Sequence, residues 1–213
     1  MTDLQKDIDL FINDFGTVED EILYNLTRET AITQIHPRML SGKYQGHLLN
    51  LLIKITKSTN VLEIGTYTGY STICIARAIP EHGKITTIEI NDEIEWLFRK
   101  YFKLSKLEHK INAIVGDALK IIPTLDQNFD LVFIDGDKRE YLKYYNLLIE
   151  KIKSGTLILV DNVLWNNKIF SEPTSNDYMT KGIIQFNNYI CNDNRIEKII
   201  LPIRDGLMLL RKK

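Results

Sequence analysis

Two apolar segments in the second half of the chain end in side chains that carry oxygen. They are FDLVFIDGDK at 129–138 and LILVDN at 157–162. If the segments are neighbouring strands, Asp135, Asp161 and Asn162 meet at one edge of a sheet and offer hard donors for Mg²⁺, Mn²⁺ or Ca²⁺. With Asp137 close by, these acids would repel one another without a cation. Each acid alone is equally well explained as a helix cap or a loop residue, but the group together indicates a metal site.

A turn that contains two glycines follows an earlier apolar segment, in VLEIGTYTGYS at 61–71. Gly65 and Gly69 would let the backbone pass close to a ligand at the carboxyl end of this strand, where doubly wound sheets bind nucleotides. Glu89 follows the next strand and is placed to accept hydrogen bonds from the ribose hydroxyls of an adenosine. The turn and the acid together predict a nucleoside cofactor.

The spacing of the glycines distinguishes between cofactors. A dinucleotide site uses G-x-G-x-x-G, whereas the spacing here is G-x-x-x-G, and Glu63 lies within the motif. Both features disfavour a pyrophosphate and favour a positively charged ligand without phosphates, a description that fits S-adenosylmethionine. A purely structural glycine turn is the alternative. Gly116-Asp117-Ala118 follows the third strand and can face the adenine, although Asp117 is also explained as a helix N-cap.

The elements that would position these residues alternate between strand and helix from about residue 43 onward, which predicts a parallel sheet covered by helices. We expect an α/β, Rossmann-like, doubly wound, seven-stranded sheet, mostly parallel with an antiparallel C-terminal edge hairpin. Residues 1–213 are predicted to form a single domain, with 1–40 as a helical N-terminal cap. The predicted strands are Val61–Ile64, Lys84–Ile90, Lys110–Val115, Phe129–Ile134, Gly155–Val160, Ile196–Leu201 and Gly206–Leu210.

The composition excludes several classes of protein. The 213 residues carry 27 Lys and Arg against 28 Asp and Glu, so no general attraction to nucleic acid or to an anionic membrane is expected. No apolar run approaches the roughly 18 to 20 residues that span a bilayer. Cys74 and Cys191 are too few for a disulfide framework. Without a signal-like N-terminus, the expected location is cytoplasmic.

Taken together, these motifs resemble a known family, the cation-dependent class I S-adenosylmethionine O-methyltransferases. That family includes plant caffeoyl-coenzyme A enzymes, bacterial relatives and mammalian catechol O-methyltransferase, and the likeness is greater to the caffeoyl-coenzyme A and bacterial branch. The resemblance covers about residues 36–213. Its markers are MLSGKYQGHLL at 39–49, VLEIGTYTGYS at 61–71, Glu89, GDA at 116–118, FDLVFIDGDK at 129–138, LVDNVLW at 159–165 and LPIRDGL at 201–207.

The resemblance implies a role for each matching residue. Asp135, Asp161 and Asn162 would hold the metal, Mg²⁺ first and Ca²⁺ or Mn²⁺ as alternatives, and Lys138 would be the catalytic lysine beside the accepting oxygen. Trp165 would form a wall of the acceptor pocket, although core packing is its alternative explanation. The implied partners are a small phenolic substrate of the catechol type and a second copy of the chain. The implied cofactor site comprises Ser41, Glu63, Gly65, Tyr67, Ser71, Glu89, Ala118 and Asp137.

Two positions depart from the family pattern, and other functions stay open. Pro202 stands where the mammalian catechol enzyme has a glutamate that holds the second hydroxyl, and Arg204 stands where a glycine is usual. Arg204 is explained either as a solvated turn residue or as a partner for an acidic acceptor. The alternative functions are an NAD-dependent Rossmann oxidoreductase and a noncatalytic nucleoside-binding protein.

Overall fold

The seven strands of the described residues form one mixed sheet in the computed structural model, which describes residues 10–11, 14–126 and 128–213. The order is β3-β2-β1-β4-β5-β7-β6, with β7 antiparallel to both of its neighbours and the other pairs parallel. The predicted fold class is therefore confirmed. The strands are β1 Asn60–Ile64, β2 Lys84–Glu89, β3 Ile111–Val115, β4 Leu131–Ile134, β5 Leu157–Val160, β6 Ile196–Leu201 and β7 Leu207–Lys212.

Helices cover both faces of the sheet. The central strands β1, β4 and β5 are short and almost wholly buried, because strands covered on both faces have no solvent side. None of the described helices is long and apolar enough to cross a bilayer. The α-helices that lie wholly within residues 16–126 and 128–213 are α1 Glu21–Thr33, α2 Gly42–Thr56, α3 Tyr70–Ala78, α4 Glu95–Leu104, α5 Ala118–Ile121, α6 Tyr141–Ile149 and α7 Tyr178–Asn192.

Strand limits differ from the predicted ones by one or two residues, except for β6, which agrees. Strand β4 begins at Leu131 instead of Phe129 because the residue between them serves another purpose. The Asp130 carboxylate accepts hydrogen bonds from the backbone N–H groups of Thr59 and Asn60 at 2.8 and 2.9 Å. This side chain thus ties the start of β4 to the start of β1 and keeps the two strands in register.

Helix α1 lies within the predicted N-terminal cap. Its N-cap is Asp20, which accepts from the N–H of Ile22 at 2.9 Å and also forms an ion pair with Arg77 of α3. A hydrogen bond of 3.0 Å joins the buried hydroxyls of Thr30 and Thr68. Helix α1 is therefore attached to the glycine turn and the helix that follows it. The part of the predicted cap at residues 1–9 and 12–13 lies outside the described residues.

Helix α7 makes a close backbone contact with the turn that carries Lys138. A Cβ atom on Gly182 would lie 2.5 Å from the carbonyl oxygen of Lys138 and 2.8 Å from the Cα of Arg139. Only a residue without a side chain allows the helix and the turn to approach this closely. Gly182 therefore fixes the distance between α7 and the Lys138 backbone.

We expect Gly182→Ala to lower the free energy of unfolding by about 1–3 kcal/mol, because overpacking against rigid backbone outweighs the gain of about 1 kcal/mol in helix propensity. Urea unfolding followed by circular dichroism measures the change. Gln185→Ala, on the exposed face of the same helix, is the control and should be neutral or slightly stabilising. Equal or higher stability of Gly182→Ala would contradict the close contact.

Candidate functional site

A cavity of about 1050 Å³ opens at the carboxyl ends of the parallel strands. Its walls come from the glycine turn, the segments after β2 to β5, the segment 35–41 before α2, and the turn between β6 and β7. All but one of the predicted site residues line this cavity. The predicted residues that line the cavity are Ser41, Gly65, Tyr67, Ser71, Glu89, Ala118, Asp135, Asp137, Lys138, Asp161, Asn162 and Trp165.

The glycine turn is built on left-handed backbone and lies directly against the end of β4. Gly65, Tyr67 and Gly69 have φ values of 101°, 48° and 92°. A Cβ atom on Gly65 would lie 2.4 Å from the carbonyl oxygen of Asp135. Since glycine alone tolerates both the conformation and the contact, Gly65 allows the predicted cofactor turn and the predicted metal ligand to be adjacent.

Glu63 is the predicted site residue that does not line the cavity, because its side chain lies fully buried beneath the glycine turn. Its Oε2 accepts hydrogen bonds from the hydroxyls of Thr72 and Thr87, and its Oε1 has no partner among the described residues. Burial raises the pKa of Glu63 to about 7, the nearby hydroxyls of Ser71, Thr72 and Thr87 oppose this rise, and the negative charge of Asp135 adds to it. Its contacts are those of a support for the turn.

Glu89 faces the cavity after β2. Its Oε2 accepts from the N–H of Tyr67 at 2.7 Å and its Oε1 from the N–H of Asn91 at 2.9 Å. Burial raises the pKa of this carboxyl, and the backbone donors act in the opposite direction. Each oxygen keeps a lone pair, so the carboxylate can still accept from two hydroxyls of a ligand. Asp117 caps α5 through the N–H of Leu119 at 2.9 Å, as its alternative explanation proposed.

Asp135 and Asp161 lie side by side because their strands are paired. Each follows a residue of the register pair Ile134 and Val160, and the N–H of Asp161 donates to the carbonyl of Ile134 at 3.0 Å. Their side chains are largely buried, with 16% of Asp135 and 5% of the Asp161 residue exposed. Burial and then the charge of Asp161 raise the pKa of Asp135 to about 6, against the lowering effect of Lys138 and Arg204. This pair therefore attracts positive charge.

Lys138 supplies part of that positive charge. Its Nζ lies 2.7 Å from Asp135 Oδ1 and 5.0 Å from the centre of the Tyr141 ring, and the side chain is buried. A carboxylate and the face of an aromatic ring both stabilise an ammonium group. The contacts of Lys138 are thus those of a fixed cation at the floor of the cavity.

Asp161 is held by one hydrogen bond at each oxygen. Oδ1 accepts from the N–H of Asn162 at 2.9 Å, and Oδ2 accepts from Nε2 of Gln45 at 2.8 Å. Asn162 has left-handed backbone with φ 59°, and its N–H is the donor to Asp161. These contacts leave one lone pair on each Asp161 oxygen and the amide oxygen of Asn162 for another ligand.

The donor set fits a hard divalent cation. Two carboxylates that repel each other and one amide oxygen meet at one end of the cavity, and Asp135 Oδ2 has no hydrogen bond that would compete with an ion. In the part of the chain that the structure describes, no group of three or more His, Cys, Asp or Glu side chains could hold a metal. An ion here would therefore complete its coordination with water or acceptor oxygens.

Trp165 belongs both to the cavity wall and to the core. It packs against the apolar cluster formed by β4, β5, α6 and α7, and it also lines the cavity. Its backbone is left-handed with φ 47°, and its indole N–H, although buried, has no hydrogen-bond partner among the described residues.

Gln45 and Asp205 were missing from the sequence-based predictions, and Arg204 was named there only as a solvated turn residue or a partner for an acidic acceptor. Gln45 donates to Asp161, Arg204 donates to Gln45, and Asp205 accepts from the N–H of Asn166. All three lie in quoted motifs, MLSGKYQGHLL and LPIRDGL, but those segments are far from the acids in sequence. The turn at 203–206 meets the segment after β5 through hydrogen bonds from the N–H groups of Val163 and Leu164 to the carbonyls of Gly206 and Asp205.

The sequence matches a model of one protein family and several curated plant proteins. Residues 13–213 match the family described as O-methyltransferase. The chain is 34% identical to caffeoyl-CoA O-methyltransferase 2 of Populus trichocarpa, over 92% of this chain and 90% of that protein. It is 36% identical to caffeoyl-CoA O-methyltransferase 1 of Eucalyptus globulus, over 85% of this chain and 78% of that protein. These matches span nearly all of the chain.

Solved structures of O-methyltransferases have the same fold. An enzyme from Streptomyces achromogenes involved in tomaymycin synthesis, solved in complex with SAM, superposes with a TM-score of 0.91 at 26% identity, covering 100% of both chains. An O-methyltransferase from Bacillus cereus, solved in complex with SAH, superposes with a TM-score of 0.90 at 27% identity, covering 97% of both chains.

The raised pKa of Glu63 predicts a pH-dependent stability. Between its usual pKa of 4.5 and about 7, folded protein retains a proton on Glu63 that the unfolded chain has released, so stability falls as pH rises through this window. Relative to Glu63→Gln, the wild type should lose up to about 3 kcal/mol of unfolding free energy across it, since one pKa unit is about 1.4 kcal/mol. Urea titrations of both proteins at several pH values test this, and parallel pH profiles would contradict it.

Proposed function

Because this chain belongs to the O-methyltransferase family, we propose that it transfers a methyl group from S-adenosylmethionine to one hydroxyl of a catechol-type small molecule, with the help of a divalent cation. One observation carries the proposal. A single cavity joins the glycine turn to the Asp135 and Asp161 carboxylates, and the Gly65 contact makes the two regions adjacent. A methyl donor and a metal-bound acceptor would therefore meet at that contact.

The donor half of the cavity suits S-adenosylmethionine. Glu89 retains acceptor capacity for ribose hydroxyls, and Ala118 provides a small wall beside the Asp117 turn. Acidic side chains, Glu89 and Asp137 among them, line this region and favour a cationic ligand over a pyrophosphate. The bound forms of the Streptomyces and Bacillus enzymes, with SAM and SAH, support the same cofactor.

The acceptor half suits two adjacent oxygens. Asp135, Asp161 and Asn162 would hold the cation, Mg²⁺ first and Mn²⁺ or Ca²⁺ as alternatives. When bound, the ion supplies a Lewis acid that lowers the pKa of a phenolic hydroxyl from about 10. Trp165 provides an apolar wall of the cavity. The curated relatives that act on caffeoyl-CoA support a catechol ring as the acceptor.

Lys138 completes the electrostatics of the acceptor half. Its ion pair with Asp135 keeps a positive charge at Nζ next to the site where an oxyanion would form. Fixed charge of this kind stabilises the transition state without the cost of reorganising solvent. The ion pair supports this electrostatic role over the removal of a proton by Lys138.

Family membership disfavours the alternative function of an NAD-dependent oxidoreductase. The other alternative, a noncatalytic protein that retains the pocket, is excluded only by measured turnover.

We expect purified protein to add one methyl group to catechol and to caffeic acid, measured by mass, and EDTA to abolish the reaction until Mg²⁺ is restored. Resorcinol, whose hydroxyls are not adjacent, is the matched acceptor control and should react at least tenfold more slowly. Turnover that survives chelation would contradict the metal role, and no turnover on any diphenol would contradict the acceptor class.

Replacement of Lys138 tests the electrostatic role. Lys138→Met should lower kcat by about 10²–10³, the range for loss of one transition-state donor, while the affinity for S-adenosylmethionine stays within about threefold. Lys138→Arg keeps the charge and should recover part of the rate. Steady-state kinetics and calorimetry measure the two quantities. A kcat for Lys138→Met within threefold of the wild type would show that the charge is dispensable.

A further inference from the structure

Two hydrogen bonds connect the turn between β6 and β7 to Asp161. Arg204 donates from Nη1 to Gln45 Oε1 at 3.1 Å, and Gln45 donates from Nε2 to Asp161 Oδ2 at 2.8 Å. We infer that Arg204 and Gln45 are positioning residues, which together fix the Asp161 carboxylate for the cation. This inference rests on the proposed function, and we call the connection the Arg204–Gln45–Asp161 relay.

The chemistry of the two ends fixes the orientation of the Gln45 amide. A guanidinium group only donates hydrogen bonds and a carboxylate only accepts them. The amide therefore satisfies both neighbours only with Oε1 toward Arg204 and Nε2 toward Asp161. Gln45 is 1% exposed, so water does not replace either partner. If Arg204 were absent, the hydrogen bond to Asp161 would be the one remaining side-chain contact of the amide among the described residues, and its oxygen would lose the partner that fixes it from the other side.

Arg204 adopts a conformation that its backbone alone does not favour. Its φ of 51° lies in the left-handed region, where a glycine would be unstrained. The side chain is held by two neutral acceptors, Gln45 Oε1 and the carbonyl of Leu40, which Nη2 reaches at 3.1 Å. It forms no ion pair within 4 Å in the described part of the chain. Arg204 is an exposed residue, but its guanidinium contacts these two oxygens from strained backbone, and solvation of the turn alone does not explain that contact.

The relay acts on a carboxylate that needs orientation. Asp161 has the N–H of Asn162 at one oxygen and the Gln45 amide at the other, which leaves one lone pair on each for an ion. Loss of an outer partner of a metal ligand typically reduces metal affinity by 10–100-fold. We therefore expect loss of the relay to weaken cation binding with no contact to the ion itself.

Variants must separate orientation from charge, because the charge of Arg204 itself disfavours a cation. Gln45→Met removes both hydrogen bonds of the relay and changes no charge. Arg38 also lines the cavity and has no hydrogen bond to any described residue. Arg38→Met is therefore the matched control for Arg204→Met. Each variant removes one positive charge, and only Arg204→Met breaks the relay.

Calorimetric titration of the full-length protein with Mg²⁺, in the absence of acceptor, is the main experiment. We expect Gln45→Met to weaken Mg²⁺ binding about tenfold, Arg204→Met to bind more weakly than Arg38→Met, and Arg204→Lys to recover part of the loss. The double variant Gln45→Met/Arg204→Met should bind no more weakly than Gln45→Met alone, because both act through one connection. Wild-type affinity of Gln45→Met, or full additivity, would overturn the inference. Unchanged affinity for S-adenosylmethionine in both single variants of the relay shows that they are folded.

A second readout makes the inference independent of the metal. The side-chain amide of Gln45, identified in ¹⁵N-correlated spectra by its loss in Gln45→Met, should give two well-separated proton signals in the wild type and in Arg204→Lys. In Arg204→Met the signals should move together as the amide loses its fixed orientation, and an unchanged pair would overturn the relay. A wild type that binds no Mg²⁺ would contradict the metal in the proposed function, and the amide signals would then decide the relay alone.

Discussion

The site depends on two carboxylates that the sheet holds next to each other. Asp135 and Asp161 follow register-paired residues of neighbouring parallel strands, whose backbones lie about 4.8 Å apart. Neither side chain can move away, because each is largely buried and bonded. Their mutual repulsion is offset by Lys138 and would be offset further by a cation. The fold thus concentrates negative charge at one place. The surrounding residues either supply positive charge there or position the residues that do.

The glycine turn places the rest of the cavity next to this carboxylate pair. Gly65 brings the turn after β1 against the Asp135 carbonyl, so a ligand on the turn is necessarily beside the acids. Glu63 supports the turn from below through the hydroxyls of Thr72 and Thr87. Proximity of donor and acceptor is therefore a property of the backbone, and proximity of this kind accounts for much of the rate of a transfer reaction between two bound molecules.

Sequence analysis predicted the sheet and twelve residues of the cavity lining because both follow from local patterns. Short apolar segments that end in Asp135 and Asp161 specify strands whose ends converge. Glu63 differs because a motif does not reveal on which side of a turn its side chain lies. The site role of Gln45 and the contact of Arg204 with it were not predicted for another reason. Each contacts the site through a long-range packing arrangement, and no local pattern of residues specifies that a helix start and a hairpin turn will meet there.

Hydrogen bonds join the 203–206 turn to the segment after β5, so two segments from the C-terminal part of the chain form one side of the cavity. Residues before 120, together with Asp137, form the predicted wall around the nucleoside, whereas much of the opposite wall comes from residues after 160. Substitutions in the segments after 160 can change which molecule is methylated, while the segments before 120 continue to bind the same methyl donor. One fold can therefore acquire different acceptors through changes in the 203–206 turn and the segment after β5, while selection on the cofactor pocket acts separately.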